Sequence, residues 1–421
     1  MRKLILFLFI TILFSSASAQ RLLIPMDLTQ TDHLKAYGIA YFALESGMKV
    51  DWLLNYRGGS FMMDYDAGVE QGCRLRGVTF ESNVDEGAVY NEIEDSNADV
   101  VLLEKATKVA IYAPEETQDG PWDDAVNLAL TYAEIPFDRI YDEDVLEGKL
   151  LKYEWVHLHH EDFTGQYGKF YAMYRNADWY IRNQQIEEAR AAAFGYSKVS
   201  QLKLAVARTI RAYVGQGGFL FAMCSATDSY DIALAAAETD ICAVPFDGDG
   251  IDPGYVSKMN FNYGFAFENY NLITDPMIYE FSAIDVSPLQ SGRLTQGGSE
   301  GDYFTLFDFS AKYDPVPTML TQCHTSVVKG FLGQTTAFHK EFIRPSVTIL
   351  GQNEGTDEVK YIYGPFGDGF WAFYGGHDPE DYRHQVGDPP TNLALHKNSP
   401  GYRLIMNNVL FPAARKKDLK T

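Results

Sequence analysis

Between Lys108 and Ala236 short apolar runs alternate with stretches of helical periodicity, and few folds accommodate that pattern. Lys108–Pro114, Glu154–Leu158 and Phe219–Cys224 are too short for helices and too continuously apolar for strands with one wet face. Phe137–Tyr141 reads as a further strand. The segments between them carry helical spacing: Val126, Leu130 and Ala133 before Ile135, a short helix near Asp144–Leu151, and Leu202, Ala205, Ile210 and Tyr213 within Val199–Val214. Pro121, with Asp123 and Asp124 beside it, suits the N-terminus of the first of these helices. Strands alternating with helices predict an α/β fold, a parallel sheet with helices on both faces.

The pattern returns late in the chain. Lys360–Pro365 and Gly369–Tyr374 read as a hairpin turned by Phe366-Gly367-Asp368, and a helix after Pro400 carries the stripe Leu404, Ile405, Val409 and Leu410. Residues 108–238 and 360–421 are therefore expected to form one domain. Residues 239–359, rich in Gly, Pro, Asp and aromatic side chains in short runs, read as a β-rich insertion. Residues 20–107 open βαβ-like, with a strand at Arg21–Asp27, a helix capped by Thr31 or Asp32, and a strand at Lys49–Leu54. Gly58-Gly59-Ser60-Phe61 breaks that pattern, and the acidic stretch to Asp99 is expected to hold short elements at best.

Arg2 and Lys3 precede an apolar run, Leu4–Phe14, and Ser15–Ala19 ends in a small-x-small pattern. This is the form of a signal peptide, here with cleavage after Ala19, and predicts a mature chain exported to the periplasm or secreted. The run is short for a bilayer span and no second one follows, so no membrane span is expected. A formal net charge of −22 argues against nucleic acid or anionic lipid as partners. The 27 tyrosines and 27 phenylalanines suit a small-molecule, peptide or glycan ligand, and suit structural loops equally well. Four cysteines, Cys73, Cys224, Cys242 and Cys323, are too few for a disulfide scaffold in 421 residues, although a Cys242–Cys323 or Cys73–Cys242 bridge fits an oxidising compartment.

Cys224 ends a strand and stands immediately before a helix beginning near Ser225. A cysteine at such a turn is lifted above the sheet edge, where backbone N–H groups and a helix N-terminus lower a thiol's pKa. That position suits covalent attack on an acyl or amide carbon, and a small buried apolar residue fits it as well. His377 follows the Gly369–Tyr374 strand in Gly375-Gly376-His377-Asp378-Pro379-Glu380. It is placed to take a proton from a thiol, with Glu380 or Asp378 to orient its ring. A surface turn is the plainer alternative.

These two motifs, in this chain order, resemble the class I glutamine amidotransferase-like superfamily over roughly residues 108–236 and 360–411. The resemblance implies a flavodoxin-like sheet, a G-x-C-x-G elbow and a late H-x-E. This chain has Ala222-Met223-Cys224-Ser225-Ala226 and His377-Asp378-Pro379-Glu380 in those places. It implies a thiol-dependent amidase or hydrolase acting on a carboxamide or peptide-like C–N bond, with a noncatalytic binding module as the alternative. Leu22–Phe61 also looks like exported bacterial proteins labelled asparagine synthetase B. That activity is not expected, because the required cysteine after the initiator Met and the S-G-G-x-D-S loop are both missing.

No cofactor is required by these motifs, yet a divalent metal has candidate ligands. His157 and His159 share one face of an extended strand and His160 lies on the other, followed by Glu161 and Asp162. With His377 or His384 from a facing loop, such imidazoles suit zinc or a similar ion, and metal-assisted hydrolysis would follow. A polar strand end without metal is the competing expectation.

Overall fold

The computed structural model describes residues 20–114, 124–288, 302–383 and 388–416. The signal sequence, the Pro121 and Asp123 helix start and His384 lie outside the described residues.

The N-terminal region builds a five-stranded sheet from β1 (Arg21–Ile24), β2 (Val50–Leu54), β3 (Ser60–Asp64), β4 (Glu81–Ser82) and β5 (Asp99–Leu103). Its order is β4-β1-β3-β2-β5 and every pairing is antiparallel. β1 and β2, joined by the His33–Glu45 helix, run parallel to one another with β3 inserted between them, so the βαβ-like opening is a split one. The break at Gly58-Gly59 is the turn of a β2–β3 hairpin, with both glycines at positive φ. The acidic stretch holds two ten-residue helices, Ala67–Arg76 and Glu86–Asp95. Each starts at an aspartate whose side chain accepts backbone N–H groups, Asp66 and Asp85.

Among the described residues the second sheet holds ten strands: β6 (Val109–Tyr112), β7 (Phe137–Ile140), β8 (Trp155–Leu158), β9 (Phe219–Met223), β10 (Tyr303–Leu306), β11 (Val327–Lys329), β12 (Phe338–His339), β13 (Thr348–Gln352), β14 (Glu358–Phe366) and β15 (Gly369–Tyr374). Five of them, β7-β6-β8-β9-β15, are parallel neighbours. Numbered among themselves along the chain, they stand in the order 2-1-3-4-5. β14 and β15 form the expected hairpin, and β14, β13, β10 and β11 extend the sheet in antiparallel fashion. Residues 239–359, expected as a β-rich insertion, add strands to the main sheet and also contribute the Pro315–Thr321 helix.

Every residue of β6, β8 and β9 is buried, as their apolar continuity requires. One face, with Ile111, Trp155, Phe221 and Tyr374, packs on the His33–Glu45, Ala125–Ala133 and Pro400–Leu410 helices and on the inner face of the first sheet. The other, with Tyr112, Val156, Leu220 and Phe373, packs on the Val199–Gly215 and Ala226–Ala235 helices. All four cysteines are free thiols, which removes both bridges suggested by their number. Cys73 packs on the first of these faces while Cys242 packs on the second, so the sheet separates them.

Candidate functional site

Cys224 follows β9 at φ 52°, a left-handed conformation that costs a non-glycine residue about 1–2 kcal/mol. The strain belongs to a sharp strand-to-helix turn: the Cys224 N–H donates to Tyr374 O at 3.3 Å, and the Ala226–Ala235 helix begins two residues later. The thiol is buried. Burial pushes it up to about 11, although the backbone N–H groups of Thr335, Ser225 and Gln334 pull in the opposite direction. The 331–337 segment is fastened over this region, with Gly376 N–H donating to Thr335 O at 2.7 Å and His377 N–H to Leu332 O at 2.8 Å. Gly333 allows that approach, since a Cβ there would lie 2.8 Å from His377 N.

The elbow therefore exists while its sulfur is a protonated thiol at neutral pH. In the folded chain, iodoacetamide at pH 7.5 is expected to alkylate Cys224 about two to three orders of magnitude more slowly than in urea. Peptide-resolved mass spectrometry reads this directly; equal rates would show the thiol to be open, and a faster rate in the folded chain would show it to be activated.

His377 is buried and its ring stands 4.3 Å, edge to face, from His159 and 5.7 Å, stacked, from His160 (centroid separations). Its expected carboxylate partners are engaged with other groups. Asp378 accepts from Tyr402 Oη at 2.7 Å, and Glu380 accepts from Tyr382 Oη at 2.6 Å and contacts His396 Nδ1 at 2.9 Å. Burial raises the Asp378 carboxyl, with the Tyr402 hydrogen bond opposing.

His159 and His160 leave the carboxyl end of β8, and His377 comes from the loop after β15. One nitrogen from each of the three imidazoles lies within 4.8 Å of the others. His159 and His377 are buried, whereas His160 is exposed. Behind them sits Asp124, which the sequence marked only as a helix cap. It does cap the Ala125–Ala133 helix, through Asn127 N–H at 2.6 Å. Its second oxygen lies 3.1 Å from His157 Nε2 and 3.3 Å from His159 Nδ1. Burial alone would raise this carboxyl; His157, the Asn127 N–H and His160 outweigh it and hold Asp124 below the usual carboxylate range.

His157 has a different place from its neighbours. Its Nδ1 donates to Phe221 O at 3.1 Å and its Nε2 faces Asp124, so both ring nitrogens are committed. It supports Asp124, which in turn addresses His159. A carboxylate behind an imidazole, as Asp124 lies behind His159 Nδ1, is common where imidazoles bind metal. Glu161 completes the rim, its carboxyl lifted to about 8 by burial with Lys203 opposing.

The five parallel strands reverse their order between β6 and β8, and the segments leaving the carboxyl ends of β6, β7 and β8 border a cavity of about 330 Å³. Pro114, Tyr141, His160 and Glu161 line it. Open α/β sheets bind ligands in such a crevice.

No family model matches the chain, and no curated protein matches it. Among solved structures it is similar to two cytoplasmic proteins of Salmonella typhimurium. STM3548 shows 10% identity over 74% of this chain and 100% of that one, with a TM-score of 0.30. STM1381 shows 10% identity over 73% and 100%, with a TM-score of 0.35. A GH42 β-galactosidase, Gan42B of G. stearothermophilus, shows 12% identity over 65% of this chain and 28% of its own length, with a TM-score of 0.26. Likeness of this degree assigns no activity to the chain.

Proposed function

We propose that this protein is an exported hydrolase of flavodoxin-like fold, related to the class I glutamine amidotransferase-like superfamily. In this reading it works with a divalent metal held by His159, His160 and His377. The observation that carries the proposal is the convergence of these three imidazoles, with nitrogens within 4.8 Å of one another, at the carboxyl rim of the parallel sheet. The strand order 2-1-3-4-5 supports the flavodoxin-like assignment. The positive charge and apolar run before Ala19 support export.

Three imidazoles suit zinc, and three protein ligands leave a coordination position for water or substrate. A bound zinc ion supplies Lewis acidity and a water that ionises near neutral pH. The chain's own groups do the rest. Asp124 orients His159, His157 fixes Asp124, and the exposed face of His160 meets the cavity. No helix among the described residues is long and apolar enough to cross a membrane.

A second reading, thiol-dependent amide hydrolysis at Cys224 with His377 as base, is supported by the φ of 52° at the strand-to-helix turn. One experiment separates the two. The metal-free chain, titrated with Co²⁺, is expected to bind one equivalent with the intense visible absorption of a four-coordinate site. His159→Ala and His377→Ala should weaken binding at least 100-fold, and Asp124→Asn about 10–100-fold. Hydrolysis of p-nitrophenyl esters, anilides and glycosides should then depend on added metal and survive Cys224→Ser. Absence of Co²⁺ binding, or binding indifferent to His159→Ala, overturns the metal reading. Activity abolished by Cys224→Ser would establish the thiol reading instead.

A further inference from the structure

The cavity beside His160 has walls more specific than its location alone requires. Its volume, about 330 Å³, is at the small end of the range for small-molecule sites. Tyr167, Phe170 and Trp179 supply aromatic surface. Trp179 is 46% exposed despite its size, and stands 6.1 Å from Phe170, ring to ring. Asp162, Asn183 and Glu187 add polar groups to the lining, and Asn183 and Glu187 follow Trp179 at i+4 and i+8 along one face of the Asp178–Ala193 helix.

Of the charged groups on these walls, which also include Glu161 and Arg182, those of Asp162, Glu187 and Lys203 are engaged within the protein. Asp162 accepts from Thr164 N–H and Oγ1, both at 2.6 Å, and from Gly168 N–H at 3.0 Å. Glu187 accepts from Tyr141 Oη at 3.1 Å and Arg190 Nη1 at 2.6 Å, with Lys203 Nζ at 3.2 Å. Lys203 is in turn bound to Asp142 at 2.8 Å. An anionic ligand would compete with Asp142 and Glu187 for the Lys203 ammonium. An amine would compete with Arg190 and Lys203 for Glu187. A neutral ligand displaces neither, because a carboxylate oxygen with one donor still has lone-pair capacity for a hydroxyl.

We propose that this cavity is the substrate pocket and takes a neutral polyhydroxylated ring, a sugar unit, with its C–H face on the aromatic wall and its hydroxyls on Asp162, Asn183 and Glu187. As the pocket of a hydrolase, the assignment rests on the metal reading above; as a sugar site, it is tested without metal. Trp179 then acts as a stacking platform, and His160 marks the end of the ring at which the reacting bond would lie.

The test uses the full mature chain treated with chelator, and His377→Ala alongside it. Probes are the methyl glycosides of glucose, galactose, mannose, xylose and N-acetylglucosamine, with tetramethylammonium and acetate as charged controls, followed by calorimetry. At least one glycoside should saturate the site at millimolar concentration in both preparations. Trp179→Ala should weaken that binding at least tenfold while leaving Co²⁺ affinity unchanged. Binding of no glycoside, binding indifferent to Trp179→Ala, or tighter binding of either charged control overturns the proposal. Co²⁺ binding without glycoside binding would overturn the sugar pocket alone, and glycoside binding without Co²⁺ binding would overturn the metal reading alone.

Discussion

Replacing Lys203 by methionine is expected to destabilise the folded chain by about 3–5 kcal/mol. The Val199–Gly215 helix buries this side chain against Asp142, at 2.8 Å, and Glu187, at 3.2 Å, and all three are nearly inaccessible to solvent. Tyr112 donates to Asp142 and Tyr141 donates to Glu187, so the two carboxylates are hydrogen-bonded as well as ion-paired. Methionine matches the lysine stem in length and apolar contact but leaves the buried Asp142 without its cation and Glu187 with Arg190 alone.

The fold responds to that loss rather than to a cavity. Burial alone would lower the Lys203 pKa; Asp142 and Glu187 outweigh it and raise the value well above the ordinary lysine value. A raised folded value means that this stabilisation is complete below the unfolded lysine pKa, near 10.4, and is lost only as pH rises through the folded value. Urea unfolding at pH 7 therefore reads it in full. Lys203→Met combined with Asp142→Asn should recover most of the lost stability, because the stranded carboxylate is gone while Glu187 keeps Arg190. If the single and double variants unfold at the same urea concentration, the Lys203–Asp142 pair is not what holds this helix to the sheet.

The second large effect has the opposite sign. Asp285→Asn is expected to stabilise the protein at pH 8 and to change little at pH 4. Asp228, on the Ala226–Ala235 helix, and Asp285, bridged to Phe338, are both fully buried. Asp228 Oδ1 accepts from Thr335 Oγ1 at 3.0 Å. Its Oδ2 and both oxygens of Asp285 have no hydrogen-bond partner among the described residues. Burial, then the proximity of Asp228 and Glu280, raises Asp285 far above its ordinary value, and burial raises Asp228 to about 7.

The folded chain thus keeps protons that the unfolded chain releases near pH 4. Stability from these groups is complete below that pH and falls as pH rises toward 7 and beyond. A rise from 3.8 to about 7 at Asp228 corresponds to a cost on the order of 4 kcal/mol at the upper end. The asparagine variant removes one ionising group and the repulsion it exerts on the other. Its urea midpoint should therefore fall less between pH 4 and pH 8 than that of the native chain. Parallel pH profiles for the two proteins would mean that the pair carries no proton into the fold.

Much of the architecture is legible in short stretches of sequence. β6, β8 and β9 are continuous apolar runs because both faces of a central parallel strand are covered, and that requirement is written into each residue. The β14–β15 hairpin and the Pro400–Leu410 helix announce themselves in the same way, through a turn and a periodic stripe. The helices at 67–76 and 86–95 escaped because their faces are mostly solvated and their caps sit in an acidic background. β3 escaped because a hairpin inserted between two strands leaves no local trace of its partner on the far side.

By itself the sequence determined the α/β class, the strand-to-helix turn at Cys224 and the pair of histidines leaving β8, since periodicity and turn chemistry act over a few residues. Only the tertiary structure decided which side chains share the rim. Asp124, His159 and His377 arrive from three elements far apart in the chain, and His159 stands between the other two. The same assembly lays the 331–337 segment over Cys224, joined there to the end of β15, and raises the thiol to about 11. A thiol's pKa depends on burial and on surrounding dipoles, and both come from strands and loops that meet only when the sheet closes.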